Sequence, residues 1–410
     1  MKFLHTADLH LGQIMYQNYS REDEHAHFFA QLKAWCREYS PDALLVSGDV
    51  FDIQQPSAAV KRRFNEFFVG LHRDFPQMSI IITAGNHDSA SRIHADNAVW
   101  SLGNITVLGM PPSKACLEQE DGWQDEYIVS LPSGYVVAMP FSVTPKGEIL
   151  QSVLDYVAAK NTDNKPVVVM EHLSVTGMDA TGHGMEIGHI ETVSADELGT
   201  GFDYMALGHI HRPQTIGHLE DEHEAVSTYP AGVIHYSGSA LHVSCDEKYP
   251  HTVSLVEIDH HGGSVMVSRL RIDEKRHFYE LPAEGSFTSL EDIYSAVRDF
   301  VAENETAYFR LCINYDVAIP SDFNQQIYNI IEAGGKDIRY NPKIIWPNKP
   351  ADMSEAERPV FDVADLQQMT DPMQFIEQTI GSYPELNLDD LREAFKEIEE
   401  EMKLMETKAE

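Results

Sequence analysis

The sequence predicts an α/β protein: an α/β sandwich of layers flanked by helices over residues 1–272, a small α+β unit over 273–345, and a helical tail over 351–410. Three observations carry the prediction. Short apolar runs of strand length alternate with helix-length amphipathic stretches through the first part of the chain. A second series of strand and helix patterns follows and stops at a proline-containing stretch. Beyond that stretch, apolar residues recur at the spacing of a helical seam.

The strand runs are 2–7, 43–47, 79–84, 135–140, 167–171 and 204–207, with helix-like segments such as 24–39 and 57–71 between several of them. Runs that are apolar throughout suit strands covered on both faces. Residues 252–258 and 265–272 alternate instead, and His260-His261-Gly262-Gly263 between them reads as a hairpin turn. The second unit reads strand 277–281, helix 290–301, strand 308–315, helix 323–332 and strand 338–345; Trp346-Pro347-Asn348-Lys349-Pro350 marks its end. In the tail, Asp371-Pro372 is a helix start, a capping residue before a first-turn proline. Leu388, Leu391, Phe395, Ile398, Met402 and Met405 then form an a/d seam, which needs an apolar partner surface.

At 410 residues with 43% hydrophobic content, the chain has material for two or three cores. No apolar stretch reaches bilayer length. The N-terminus reads as a strand entering a polar motif rather than a secretion signal, so a cytoplasmic protein is expected. Cys36, Cys116, Cys245 and Cys312 are far apart and read as reduced structural thiols. The net charge of −35 argues against a chain that grips duplex DNA unaided. Either the substrate is small, or bound metal and a partner supply the positive field.

The chemistry lies in five motifs: Asp8-Leu9-His10, Gly48-Asp49-Val50-Phe51-Asp52, Gly85-Asn86-His87-Asp88, Glu171-His172 and Gly208-His209-Ile210-His211. Each stands at the carboxyl end of an expected strand, where ligands gather in open α/β sheets. Each motif alone has an ordinary reading as a turn or an incidental pair; their conjunction after five strands does not. Imidazole, carboxylate and amide oxygen suit Mn, Fe or Zn. Seven such ligands exceed one ion's needs and suit two sharing a carboxylate, ~3.5–4 Å apart, clamping a phosphate. Of the other histidines, His25, His27, His94 and His235 read as helix-surface or packing residues. His183 and His189 read as residues of a Gly-rich loop.

These motifs resemble those of the calcineurin-like metallophosphoesterase superfamily. Their wording, from His5-Thr6-Ala7-Asp8-Leu9-His10-Leu11-Gly12 to Leu207-Gly208-His209-Ile210-His211, is closest to a bacterial branch of nuclease subunits that work with a coiled-coil ATPase. The resemblance implies one metal held by Asp8, His10, Asp49 and His211, and another by Asp49, Asn86, His172 and His209, with Asp49 as the bridge. It implies that His87 is the general acid and that the Asp52 carboxylate orients it. Asp52 stands where archaeal and eukaryotic relatives tend to carry His. Glu171 replaces the usual Gly before the fourth-motif His. The resemblance further implies a Mn-dependent 3′→5′ double-strand exonuclease and single-strand endonuclease. It would work as a homodimer, with residues 273–345 capping the site and touching DNA and the tail docking on the ATPase.

Lys61-Arg62-Arg63, the group Arg269, Arg271, Lys275 and Arg276, and the set Lys336, Arg339, Lys343 and Lys349 are the basic clusters offered for DNA contact. A small-molecule phosphodiesterase or phosphatase on the same scaffold is the competing reading. It needs neither partner nor seam and tolerates the acidic charge. A non-enzymatic scaffold would require broken metal motifs, and none of the seven ligand positions is broken.

Overall fold

Alternation along the first strands sets the layers. The strands of the two large sheets, in chain order, are β1 (Lys2–Thr6), β2 (Ala43–Ser47), β3 (Ser79–Thr83), β4 (Ile105–Leu108), β5 (Ile128–Leu131), β6 (Gly134–Ala138), β7 (Val167–His172) and β8 (Tyr204–Gly208). They continue with β9 (Gln214–Thr215), β10 (Val226–Tyr229), β11 (Val233–Tyr236), β12 (Thr252–Ile258) and β13 (Val265–Arg271). Phe3, Ala43, Leu45 and Ile81 face a core shared with a second sheet. Leu4, Leu44, Val46, Ile80 and Ile82 face the other way, onto Phe28 and Leu32 of α1 (Glu22–Tyr39) and Phe64 and Phe68 of α2 (Ala58–Asp74). Successive strand residues point to opposite faces, so a wholly apolar run needs cover on both.

The computed structural model describes residues 1–347 apart from 17, 113–121, 144–146, 182–191 and 219–224. The tail 351–410, Cys116, His183 and His189 lie outside the described residues. One sheet has the order β10-β13-β12-β1-β2-β3-β4 and the other β9-β11-β8-β7-β6-β5. β1 to β4 run parallel, as do β6, β7, β8 and β11, so the carboxyl ends that carry the motifs gather at one edge of the sandwich. Helix α3 (Gly147–Lys160) covers the second sheet with Leu150, Val153, Leu154 and Val157. The hairpin β12–β13 pairs Thr252 with Arg271 through Ile258 with Val265. Cys36, Cys245 and Cys312 are free thiols. No described helix is long and apolar enough to cross a membrane.

A third core belongs to β14 (Phe278–Leu281), α4 (Leu290–Glu303), β15 (Thr306–Cys312), α5 (Phe323–Gly334) and β16 (Asp337–Ile345). Its three strands are parallel, in the order β14-β15-β16. Buried charges fasten this unit to α1. Glu24, 2% exposed, accepts from Arg276 at 3.1 Å, Arg339 at 3.0 Å, the Tyr308 hydroxyl at 2.7 Å and Arg21 at 2.6 Å. Two of the arginines offered for DNA contact are therefore turned inward: Arg276 is 2% and Arg339 9% exposed. Lys275 and Lys336 are also paired, with Asp23 at 2.7 Å and Glu305 at 3.0 Å.

Removing one partner of a buried ion pair leaves the others uncompensated and costs about 3–5 kcal/mol. Glu24→Ala is expected to lose that much stability in urea unfolding monitored on the C-terminal unit. A change below about 1 kcal/mol, the scale of an exposed pair, would remove the junction role.

Candidate metal centre

Five strand ends deliver the site. Asp8 and His10 follow β1, Asp49 follows β2, Asn86 and His87 follow β3, His172 closes β7, and His209 and His211 follow β8. The loops lock together through the backbone: the Asp8 N–H donates to Gly48 O at 3.1 Å and the His10 N–H to Asp49 O at 3.0 Å. From α1, His25 donates through Nε2 to Leu9 O at 2.9 Å and holds the loop from behind. Among the described residues, Asp8, His10, Asp49 and His209 make up four of the eight non-glycine positions with positive φ. That backbone costs roughly 1–2 kcal/mol per residue and persists only where the surroundings fix it. It is concentrated at the expected ligand positions.

Two glycines make the close approach possible. A Cβ on Gly48, whose φ is +84°, would stand 2.1 Å from His172 Nδ1; one on Gly85 would stand 2.1 Å from Asp49 Oδ1.

Asp8, His10 and His211 each bring a ligand atom within 4.8 Å of the others, and Asp49, His172 and His209 do the same. All six residues are buried. Asn86 joins the second group, its Oδ1 lying 2.9 Å from His172 Nε2 and 3.1 Å from His209 Nδ1. Asp49 reaches both groups, with Oδ2 3.4 Å from His172 Nε2 and 4.0 Å from His10 Nε2. His172 donates through Nδ1 to Ser47 O at 2.9 Å. In a neutral ring its Nε2 is then a lone pair facing the oxygens of Asn86 and Asp49. Such a convergence of acceptors requires a proton or a cation among them. His10 is buried as well; neither ring nitrogen meets a hydrogen-bond partner, and carboxylate oxygens stand 3.5 Å from Nδ1 and 4.0 Å from Nε2.

Proton affinities follow from this crowding. Burial opposes a charge on His172, yet Asp49 and Asp8 outweigh it and lift the imidazole to about 9. Burial, opposed by His172, pushes the Asp8 carboxyl up to about 7. Burial also opposes the charge on Asp49, but His172 and His10 hold it below the usual carboxylate range. Burial keeps His211 neutral, well below its ordinary value. The pocket draws in positive charge, and its nitrogen and oxygen donors are those of divalent ions.

His87 is half-buried at the rim. It donates through Nδ1 to the backbone carbonyl of Asp52 at 2.9 Å, not to the carboxylate. That carboxylate turns to His10, with Oδ1 3.5 Å from Nδ1. The expected Asp52–His87 side-chain pair is therefore corrected to a main-chain contact. The cause is the anchoring of the loop, since the Asp52 N–H donates to Leu11 O at 3.2 Å. Asp88 pins the preceding residues, accepting from the N–H groups of Val50 at 3.0 Å, Phe51 at 2.9 Å and Gly85 at 2.9 Å. Burial, with Asp49 nearby, pushes the Asp88 carboxyl up to about 6. Glu171, extended beside His172, has a side chain directed to the opposite face, and burial raises its carboxyl to about 8.

Sequence reasoning misses two positioning residues. Asp88 reads in the sequence only as part of a turn-like motif. Glu247, with no motif around it, holds His211: its Oε1 lies 2.9 Å from His211 Nδ1, and its Oε2 accepts the Val243 N–H at 3.0 Å. A carboxylate behind a ligating imidazole fixes the ring and raises its basicity; removing such a partner costs about 10–100-fold in metal affinity or activity. Glu247→Ala is expected to weaken divalent-metal binding by that factor in a calorimetric titration. Unchanged affinity would leave Glu247 a packing residue.

The layered α/β sandwich and the two donor groups at its strand ends define a metal-dependent phosphoesterase. Residues 1–213 match the family model described as Calcineurin-like phosphoesterase, and the chain belongs to that family. The resemblance to its bacterial nuclease branch is supported by curated relatives, each named as the SbcD subunit of the nuclease SbcCD. The protein from Rhodobacter capsulatus is 29% identical over 328 residues, covering 72% of this chain and 75% of the relative. That from Escherichia coli K12 is 28% identical over 285 residues, covering 62% and 65%. That from Bacillus subtilis is 27% identical over 282 residues, covering 63% and 66%. Among solved structures, a dimetal phosphatase from Danio rerio aligns at TM-score 0.39 and 11% identity, over 67% of this chain and 99% of that one.

Proposed function

We propose that this chain is a metal-dependent DNA nuclease of the SbcD kind: a Mn-dependent 3′→5′ double-strand exonuclease and single-strand endonuclease for double-strand breaks or hairpins. The observation that carries the reading is the pair of buried donor groups joined at Asp49, with His87 at their rim. On this reading Asp8, His10, Asp49 and His211 hold one ion, and Asp49, Asn86, His172 and His209 the other. Two divalent ions held there would neutralise the phosphodiester charge and lower the pKa of a water between them. Asp49 takes the His87 N–H at Oδ1, 2.8 Å away, and so ties the ion-holding carboxylate to the acid. With Nδ1 donating to the Asp52 carbonyl, a protonated His87 carries its second proton on Nε2. From there it can pass that proton to the leaving sugar oxygen.

Residues 1–272 would form the nuclease domain and 273–345 a capping domain with possible DNA contact. Residues 351–410 would dock on an SbcC-like coiled-coil ATPase, in a cytoplasmic complex built on a homodimer. With a net charge of −35, the isolated chain should hold duplex DNA weakly, the partner supplying most backbone contacts.

The test is cleavage of a 3′-labelled linear duplex by the purified chain, with and without Mn and the ATPase, beside a generic phosphodiester. Mn-dependent release of label supports the nuclease. Hydrolysis of the small diester alone, with the duplex intact even when the ATPase is present, would shift the assignment to a small-molecule phosphodiesterase.

A further inference from the structure

We propose a third divalent-metal site, separate from the paired centre, formed by His242, His251 and Glu274 where the first sheet meets the C-terminal unit. One ligand atom from each lies within 4.8 Å of the others. His242 Nδ1 stands 3.3 Å from Glu274 Oε1. Two ligands bound at about 2.0–2.1 Å to a tetrahedral ion are about 3.3–3.4 Å apart, so this edge already has the span of a bound pair. The two imidazole rings are 4.2 Å apart between centroids.

An independent observation comes from His251, which is fully buried. Its Nδ1 lies 2.9 Å from Ser239 O and 3.1 Å from Ser239 Oγ, whose own proton goes to Leu241 O. Nδ1 is therefore the N–H end. That leaves Nε2 as a lone pair, and this atom is buried with no hydrogen bond. The charged atom across from it is Glu247 Oε2 at 3.4 Å, another acceptor. A lone pair held against a carboxylate calls for a cation between or beside them.

The surroundings suit an ion. His242, Glu247, Glu274 and His277 line a cavity of about 770 Å³, which gives an entry path and room for water as a further ligand. His277 Nδ1 sits 3.4 Å from the other oxygen of Glu274. Among the described residues, two arginines act on Glu274: Arg21 donates to the His242 carbonyl and is paired with Glu24, and Arg271 lines the cavity. Two imidazoles and a carboxylate with an open fourth position match a borderline ion of the zinc class. The consequence is structural. His242 and His251 lie between β11 and β12, whereas Glu274 lies on the connector from β13 to β14. An ion here ties that connector, and so the C-terminal unit, to the sandwich. None of this rests on the substrate of the paired centre.

The experiment uses the full chain, stripped with a chelator, equilibrated with zinc and assayed for metal by plasma mass spectrometry. The background is an Asp8→Asn/His172→Asn variant with the paired centre disabled. It is expected to retain an ion that is lost on adding Glu274→Gln; the wild type should likewise lose one ion per chain with Glu274→Gln. Circular dichroism of the metal-free proteins separates loss of a ligand from loss of fold. His242→Asn, which keeps a smaller polar side chain, should reproduce the loss. No zinc on the disabled background, or equal zinc with and without Glu274→Gln, overturns the site.

Discussion

His87→Gln is expected to lower kcat on a phosphodiester by about 10²–10⁴-fold, the range for removal of a positioned general acid. Metal uptake should stay at the wild-type level, because His87 belongs to neither donor group. The glutamine retains bulk and polarity at the rim and can still meet the Asp52 carbonyl, but it cannot release a proton to a leaving oxygen. The contrast with Asp52 sharpens the test. Asp52→Ala keeps the carbonyl that holds His87 at 2.9 Å and removes only the carboxylate 3.5 Å from His10. Its effect should fall on metal affinity, by about tenfold as for an outer partner of a ligand, with kcat near wild type once metal is saturating. If Asp52→Ala lowered kcat as far as His87→Gln at saturating metal, the carboxylate would be the orienting group after all. Cleavage undiminished in His87→Gln would remove the general-acid role.

The features legible in the sequence are those set by short-range pattern. An apolar run followed at once by Asp, Asn or His is visible without knowing the partner strands, so the strand ends and their donors can be read directly. What is not legible depends on distant contacts. Glu247 gains its role from His211, 36 residues away. Arg276 and Arg339 look like exposed basic residues, yet they meet Glu24 across 252 and 315 positions. Strands such as Ile105–Leu108 and Val233–Tyr236 have four residues each, too short for periodicity to announce them, and exist because neighbours already in the sheets pair with them. The Asp52 correction is of the same kind. Residue type alone identifies a partner for the region of His87, but which atom faces the ring depends on Asp88 and Leu11 pinning the loop.

Asp49→Asn carries the largest expected loss. The substitution keeps shape and leaves an Oδ1 that can still take the His87 N–H, so the loop need not move. It removes the charge within reach of both donor groups. Metal stabilisation of a transferring phosphoryl group amounts to several kcal/mol, and each ~1.4 kcal/mol is tenfold, so the rate should fall by about three orders of magnitude or more. A second readout does not depend on activity. In the metal-free protein Asp49 leads the effects that lift His172 to about 9 against burial. Without that charge only Asp8 and the Ser47 carbonyl oppose burial, and the imidazole should titrate well below its wild-type midpoint. A ligand raised in pKa holds its proton at neutral pH and must release it to an ion, so affinity in the wild type falls as pH drops through about 9 for His172 and about 7 for Asp8. Imidazole NMR of the metal-free proteins, followed from about pH 5 to 10 to bracket both values, would read the His172 midpoint directly. A midpoint near 9 in both wild type and Asp49→Asn would show that another group lifts it, and the central electrostatic role given to Asp49 would have to be abandoned.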